Sequence, residues 1–272
     1  MNRDKCLVLT KSKNPEVSCM TRAQLTKIYE KIFRDTTDKK KTKKIVELLE
    51  EKLRKECEDQ QCWAEKYSNN AVSSFVPRAM WTVDDTWLYS SDISRVLSQY
   101  EKKFRPYSGY VYGGIFTSDS ADPTMFRQGC YDRILCDMTS SDSLYKRGRL
   151  VGTVWNTDTR YGYGVHWVSV VYCKETNIVY YYDSSGNSVI PGVVKYANQI
   201  GAKGVSVLMS RMNNHQKMGG ECGMFAISHQ IYCSMCDKKH SKRETNDYLN
   251  SYRYKKLTDA DMVRARFELF NF

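Results

Sequence analysis

Apolar residues recur at helical spacing twice near the amino end: Leu25, Ile28, Tyr29, Ile32 and Phe33, then Ile45, Leu48, Leu49 and Leu53. That period puts each set on one face of a helix, so two amphipathic helices are predicted. The polar stretch SNNAVSSFVPRAM follows, and its Ser, Asn and Pro content reads as a linker. A boundary near Arg78 then separates a helical amino-terminal arm, residues 1–78, from a core domain, residues 79–272. TWLYSSDISRVLSQYEKKF predicts a capped helix starting near Ser91, and from Phe104 to Leu150 no period is sustained. The rhythm then changes. LVGTVWN, HWVSVVYC and NIVYYYDS are β-branched and aromatic runs divided by turn residues, the pattern of adjacent strands. PGVVKYANQIGAKG has Pro at its start and Gly at its end, as a helix should, and VSVLMSRM supplies a further strand. A helix from Cys222 and a last one in TDADMVRARFELF, with a Thr cap and an acidic first turn, complete an α+β fold.

Composition narrows the setting. A chain of 272 residues, 41% hydrophobic, has room for one large domain with an appendage. The opening MNRDKCLVLTKSKN carries charge where a secretory leader needs an apolar run, and no segment reaches the length of a membrane span. A soluble, unexported protein without membrane insertion is expected, and the ten cysteines, irregularly spaced, are expected as reduced and mostly buried thiols. The net charge of +11 draws attention to nucleic acid. Lys39, Lys40, Lys41, Lys43 and Lys44 are the densest basic run, and modest, salt-sensitive DNA binding is expected there. Acidic residues interleave the helix that follows, so a solvated helix face is the competing reading. Cys233, Cys236 and His240 form a C-x-x-C-x-x-x-H run, but no second cysteine pair accompanies it. Helix-face packing is preferred there, and neither metal nor cofactor is expected.

The candidate chemistry lies in HQKMGGECGMFAISHQIYC, residues 215–233. Cys222 follows a glycine-rich turn at the head of an amphipathic helix, where unpaired N–H groups and the macrodipole favour a thiolate. Gly219 and Gly220 permit turn geometries closed to other residues, and Gly223 lets a substrate carbonyl approach. His166 opens a strand. Asp183 ends the next one, within reach of the imidazole if the two strands pair antiparallel. Gln216, six residues before Cys222, has an amide suited to an oxyanion.

The order His166-Trp167, Asp183, Gln216 and Glu221-Cys222-Gly223 resembles that of the adenain and SUMO-protease clan of cysteine proteases. The likeness runs from about Val151 to Tyr232. NTDTRYGYGVHWVSVVY, YYDSSGNSVIPG and HQKMGGECG are most similar to the polyprotein-processing proteases of African swine fever virus and other large DNA viruses. The resemblance implies a papain-like core with a central mixed sheet flanked by helices, and catalysis by Cys222, His166 and Asp183. Gln216 and the Cys222 N–H would form the oxyanion hole. Asn156 and Trp167 would line the substrate channel, together with Gly220, Glu221 and Gly223. Asp183 follows the SUMO-protease pattern, whereas the swine fever enzyme has Asn there; either orients an imidazole. Cleavage of viral structural polyproteins at Gly-Gly-X sites is implied, at host cytoplasmic assembly sites and in the virion. Three alternatives stay open: a deconjugating protease for SUMO or ubiquitin-like proteins, an acyltransferase, or a basic nucleic-acid-binding virion protein with a vestigial site.

Overall fold

The computed structural model describes residues 17–35, 40–72, 74–75, 87–122 and 148–268; Arg78 and Lys39 lie outside them. The chain divides into two compact units, Met1–Trp81 with Phe267–Phe272 and Thr82–Arg266. In the first unit, α1 (Arg22–Phe33) opens on a capping box. The Thr21 hydroxyl accepts from the Gln24 N–H at 3.3 Å, and the Gln24 side chain accepts from the Thr21 N–H at 2.7 Å. Then come α2 (Thr42–Leu53), α3 (Gln60–Tyr67) and the single turn α4 (Asn69–Val72). Leu25, Ile28, Ile45, Leu49, Leu53 and Trp63 form its core, so the periodicity found the right faces.

Two expectations are corrected here. Ala71 and Phe75, inside the segment read as linker, are buried in that same core. Cys57 and Cys62 form a disulfide, and Cys19 is disulfide-bonded as well, so the thiols are not all reduced. Cys57 follows the end of α2 and Cys62 sits in the first turn of α3, and the tight connection brings their Cα atoms to 5.4 Å.

The second unit begins with α5 (Ser90–Ser108), whose N-terminus is held by Asp92 accepting from the Tyr89 N–H at 2.9 Å. Strands β1 (Tyr110–Thr117), β2 (Leu150–Asn156), β3 (Trp167–Cys173) and β4 (Ile178–Tyr182) follow, then α6 (Pro191–Gln199) and β5 (Val205–Val207). Last come α7 (Cys222–Ser234), α8 (Lys242–Ser251) and α9 (Asp259–Glu268). The strands form one mixed sheet in the order β1-β2-β3-β4-β5, antiparallel across β2-β3-β4 and parallel at both edges.

Every residue of β2 and β3 is buried, because helices cover both faces. Val151, Trp155, Val168, Val170, Val179 and Tyr181 pack with Val193 and Tyr196 of α6. On the other face, against α7, the contacts are polar as well as apolar. Gln230 Nε2 donates to Thr153 O at 2.9 Å, Ser169 Oγ at 2.8 Å and Val170 O at 3.1 Å, and its Oε1 accepts from Tyr110 Oη at 2.6 Å. Gly152 leaves room for this group, since a Cβ there would fall 1.9 Å from Gln230 Oε1. His229 takes a hydrogen bond from Ser169 Oγ at 2.7 Å, and burial, then the neighbouring His215, pushes its pKa down to about 3. It is neutral, with Ser169 on one ring nitrogen and Cys233 Sγ 3.4 Å from the other. Among the described residues no helix is long and apolar enough to cross a membrane.

Candidate active site

β3 and β4 pair antiparallel with Ser169 opposite Tyr182, so the residue before β3 and the residue after β4 come out at the same end of the sheet. They are His166 and Asp183. His166 Nε2 lies 2.7 Å from Asp183 Oδ1, and the carboxylate is 2% exposed. Asp183 is fixed in turn: Oδ1 also accepts from the Ser185 N–H at 2.8 Å, and Oδ2 from Asn187 Nδ2 at 3.2 Å. Cys222 lines the same cleft as His166 and acts on its titration. Burial disfavours the charged ring, but the hydrogen bonds and charges of Asp183 and Cys222 outweigh it and carry the His166 pKa up to about 9. An imidazolium beside a thiol is the partner that stabilises a thiolate. Cys222, 4% exposed, is the first residue of α7, at the helix start whose N–H groups lack intrahelical partners.

Gln216 reaches the same place from the loop before α7. Its Oε1 accepts from Ser184 Oγ at 2.6 Å and Ser185 Oγ at 3.4 Å, and Gln216 lines the cleft that holds Cys222 and His166. That cleft, about 410 Å³, is also lined by Trp87, Val165, Lys217, Met218 and Gly220. Gly220 takes φ +101°, a turn only glycine adopts freely, whereas Gly219 is not among the positive-φ residues. The loop is anchored from behind, because Asp259 Oδ2 of α9 accepts from the N–H groups of Lys217 at 2.9 Å and Met218 at 3.2 Å.

A second cleft of about 360 Å³ shares Trp87 and His166 with the first and continues past Leu88, Tyr89, Phe116, Asn156, Tyr163 and Trp167. Both expected channel residues, Asn156 and Trp167, line it. Asn156 Oδ1 accepts from the N–H groups of Asp158 at 2.9 Å and Val165 at 3.2 Å, closing the loop that leads to His166. Trp167 Nε1 donates to Leu88 O at 2.9 Å and so ties the start of α5 to the channel wall. Trp87, Leu88 and Ser184 were not foreseen. The dipeptide after Asp183, two serines before a glycine, was the available signal for the last of these.

Two site expectations are corrected. Glu221 does not face substrate: it is 2% exposed and forms a buried two-pronged ion pair with Arg266, at 3.0 Å from Nε and 2.9 Å from Nη2. Gly223 does not face substrate either, since a Cβ there would meet the Leu88 side chain at 3.1 Å. Its lack of a side chain admits Leu88, not a carbonyl. Of the basic run, Lys40 pairs with Asp35 at 3.4 Å and Lys44 with Glu47 at 3.3 Å, while Lys41 and Lys43 are exposed. Cys233 faces His229 in the core. Cys236 lies beyond the end of α7, not on it, with Arg149 Nη1 3.8 Å from its sulfur. Among the described residues no group of three or more His, Cys, Asp or Glu is placed to hold a metal ion.

No family model and no curated protein sequence matches the chain. Solved structures do. Two crystal structures of a protease of African swine fever virus (ASFV) match over 100% of this chain and 97% of theirs, with TM-scores of 0.56 and 0.55 and 15% and 16% identity. The SUMO protease Ulp1 covers 73% of this chain and 85% of its own, at a TM-score of 0.41 and 14% identity. From end to end, at an identity that speaks to fold alone, this chain has the fold of the ASFV protease.

Proposed function

We propose that the protein is a cysteine endopeptidase that processes structural polyprotein precursors of a large DNA virus, cutting after Gly-Gly, at cytoplasmic assembly sites of the host and in the virion. The observation that carries the reading is the convergence at one cleft of the Cys222 sulfur, the His166 ring held by Asp183 at 2.7 Å, and the amide of Gln216. In this mechanism the thiolate adds to the scissile carbonyl, and the oxyanion takes hydrogen bonds from Gln216 Nε2 and the Cys222 N–H. The imidazolium gives its proton to the leaving amine as the C–N bond breaks, leaving a thioester. Water, deprotonated by the now neutral His166, hydrolyses that thioester and restores the thiol.

Specificity for glycine has a physical basis in the channel wall. Trp167 is fixed by its bond to Leu88 O, and Leu88 by its contact with Gly223, so neither yields readily to a side chain. Backbone without Cβ atoms lies against such a wall at no steric cost. Kinetics with Gly-Gly-X and Ala-Ala-X peptides, with Cys222→Ala as control, provide the test. Cleavage of the first substrate alone, absent in the variant, is expected; equal kcat/KM for both peptides, or turnover by Cys222→Ala, refutes the reading.

A further inference from the structure

Ser184, between Asp183 and Ser185, bonds the loop that carries Gln216 through both its side chain and its carbonyl. Ser184 is 1% exposed. Its Oγ donates to Gln216 Oε1 at 2.6 Å, and its carbonyl accepts from the N–H groups of both Gln216, at 2.9 Å, and His215, at 3.0 Å. Next to it Asp183 holds His166. Ser184 therefore docks the loop that carries Gln216 by side chain and backbone at once, and Ser185 adds two longer contacts of 3.4 Å, from its Oγ to Gln216 Oε1 and from Asn214 Nδ2 to its carbonyl. Tyr182 Oη and His215 Nδ1, 2.9 Å apart, add a rung two residues before Ser184 and one before Gln216.

We infer that Ser184 is the positioning residue of the oxyanion hole: it fixes which end of the Gln216 amide faces the substrate. A side-chain amide has a donor end and an acceptor end of nearly equal shape, and only the donor end stabilises an oxyanion. A hydroxyl that donates to Oε1 removes the ambiguity. With the amide turned over, the buried Ser184 proton would face the donor end and lose its acceptor, a costly state for a buried group. The turn Asp183–Gly186 then sets two catalytic parts together, the base through Asp183 and the oxyanion donor through Ser184. Gly186, at φ +71° and with no room for a Cβ beside the Ser210 carbonyl, holds that turn in shape.

The kinetic consequence rests on the peptidase reading above; the orientation itself does not. In 15N-labelled protein the Gln216 side-chain amide, assigned by its loss in Gln216→Ala, should give one sharp pair of resonances that shifts or broadens in Ser184→Ala. Alkylation of Cys222 by iodoacetamide, which needs no oxyanion hole, should keep its wild-type rate. Losing an oxyanion donor costs about 10²–10³ in kcat, and Ser184→Ala, which leaves the backbone docking in place, should cost about tenfold in kcat with KM within about twofold. In the Gln216→Ala background the same change should cost nothing further. An unmoved Gln216 amide, a parallel fall in alkylation, or a loss of equal size in both backgrounds overturns the inference. A wild type that cleaves no peptide sinks the proposed function, and the resonance experiment still decides the role of Ser184.

Discussion

Replacing Arg266 with Met removes the countercharge of Glu221 while nearly keeping the volume of the side chain. Both partners are at most 2% exposed and meet through two contacts, 3.0 and 2.9 Å long. Breaking one side of such a pair takes the countercharge from a buried carboxylate, which costs about 3–5 kcal/mol. For a unit of this size each kcal/mol moves Tm by about 2–4 °C, so a fall on the order of 10–15 °C is expected. Scanning calorimetry of the intact chain reads the transition of the second unit directly. The double variant Glu221→Gln/Arg266→Met, which removes the charge along with its partner, should regain at least half of the loss. Because Glu221 directly precedes Cys222, Arg266→Met should also slow Cys222 alkylation well below its melting range. A Tm shift worth less than about 1 kcal/mol, or a double variant no better than the single one, refutes the account of a desolvated pair as the support of the nucleophile turn.

Gln216→Ala should lower kcat for a Gly-Gly-X peptide by about 10²–10³ and leave KM nearly unchanged; a purely KM effect would place the amide in ground-state binding. The alkaline limb of Cys222 alkylation should lie near pH 9, where the His166 imidazolium deprotonates, and Asp183→Asn, which keeps an acceptor but loses the charge, should move it down by about one unit. The same raised pKa makes the His166 contribution to stability complete below about pH 6.5 and lost as pH rises through about 9, which denaturation across that window checks. Gly186→Ala, forced to place a Cβ 2.3 Å from the Ser210 carbonyl, should cost at least about 1–3 kcal/mol, measurable by urea unfolding. Lys41→Gln/Lys43→Gln should shorten salt-dependent retention on a DNA column, and unchanged retention would discard those exposed lysines as a contact.

Much of the site was legible because its parts sit at element ends with strong local signals. His166 heads a β-branched run, Asp183 closes another, and Cys222 follows a glycine turn that opens a helix. His166 and Asp183 needed only the antiparallel pairing of two neighbouring strands to meet, and Cys222 joins them through the packing of α7 on the sheet. Glu221 was misread because its partner, Arg266, is 45 positions away and nothing local announces a buried ion pair. β1 was invisible for a different reason. Its register slips between Tyr112 and Gly114, which breaks the alternation that marks a strand. α8 buries only Thr245 and Leu249, too narrow a stripe to register as a period, although the Ser241–Glu244 capping box was there to be read. The expected strand VSVLMSRM shrinks to Val205–Val207, since β5 is an edge that pairs with β4 alone.

The amide of Gln230, gripped by strand residues 153, 169 and 170, bears on how two reactive atoms from distant parts of the chain are kept in alignment. Greasy contacts alone would let a helix roll or slide by fractions of an ångström with little resistance, whereas a bolt of directional bonds permits a single setting. Two of those acceptors belong to β3, the strand whose leading end bears the imidazole, so imidazole and sulfur are indexed to one rigid ruler, two helical turns below the sulfur. Alignment of the proposed site is thus inherited from the middle of the sheet, and loosening that bolt would shift ring against sulfur without touching either.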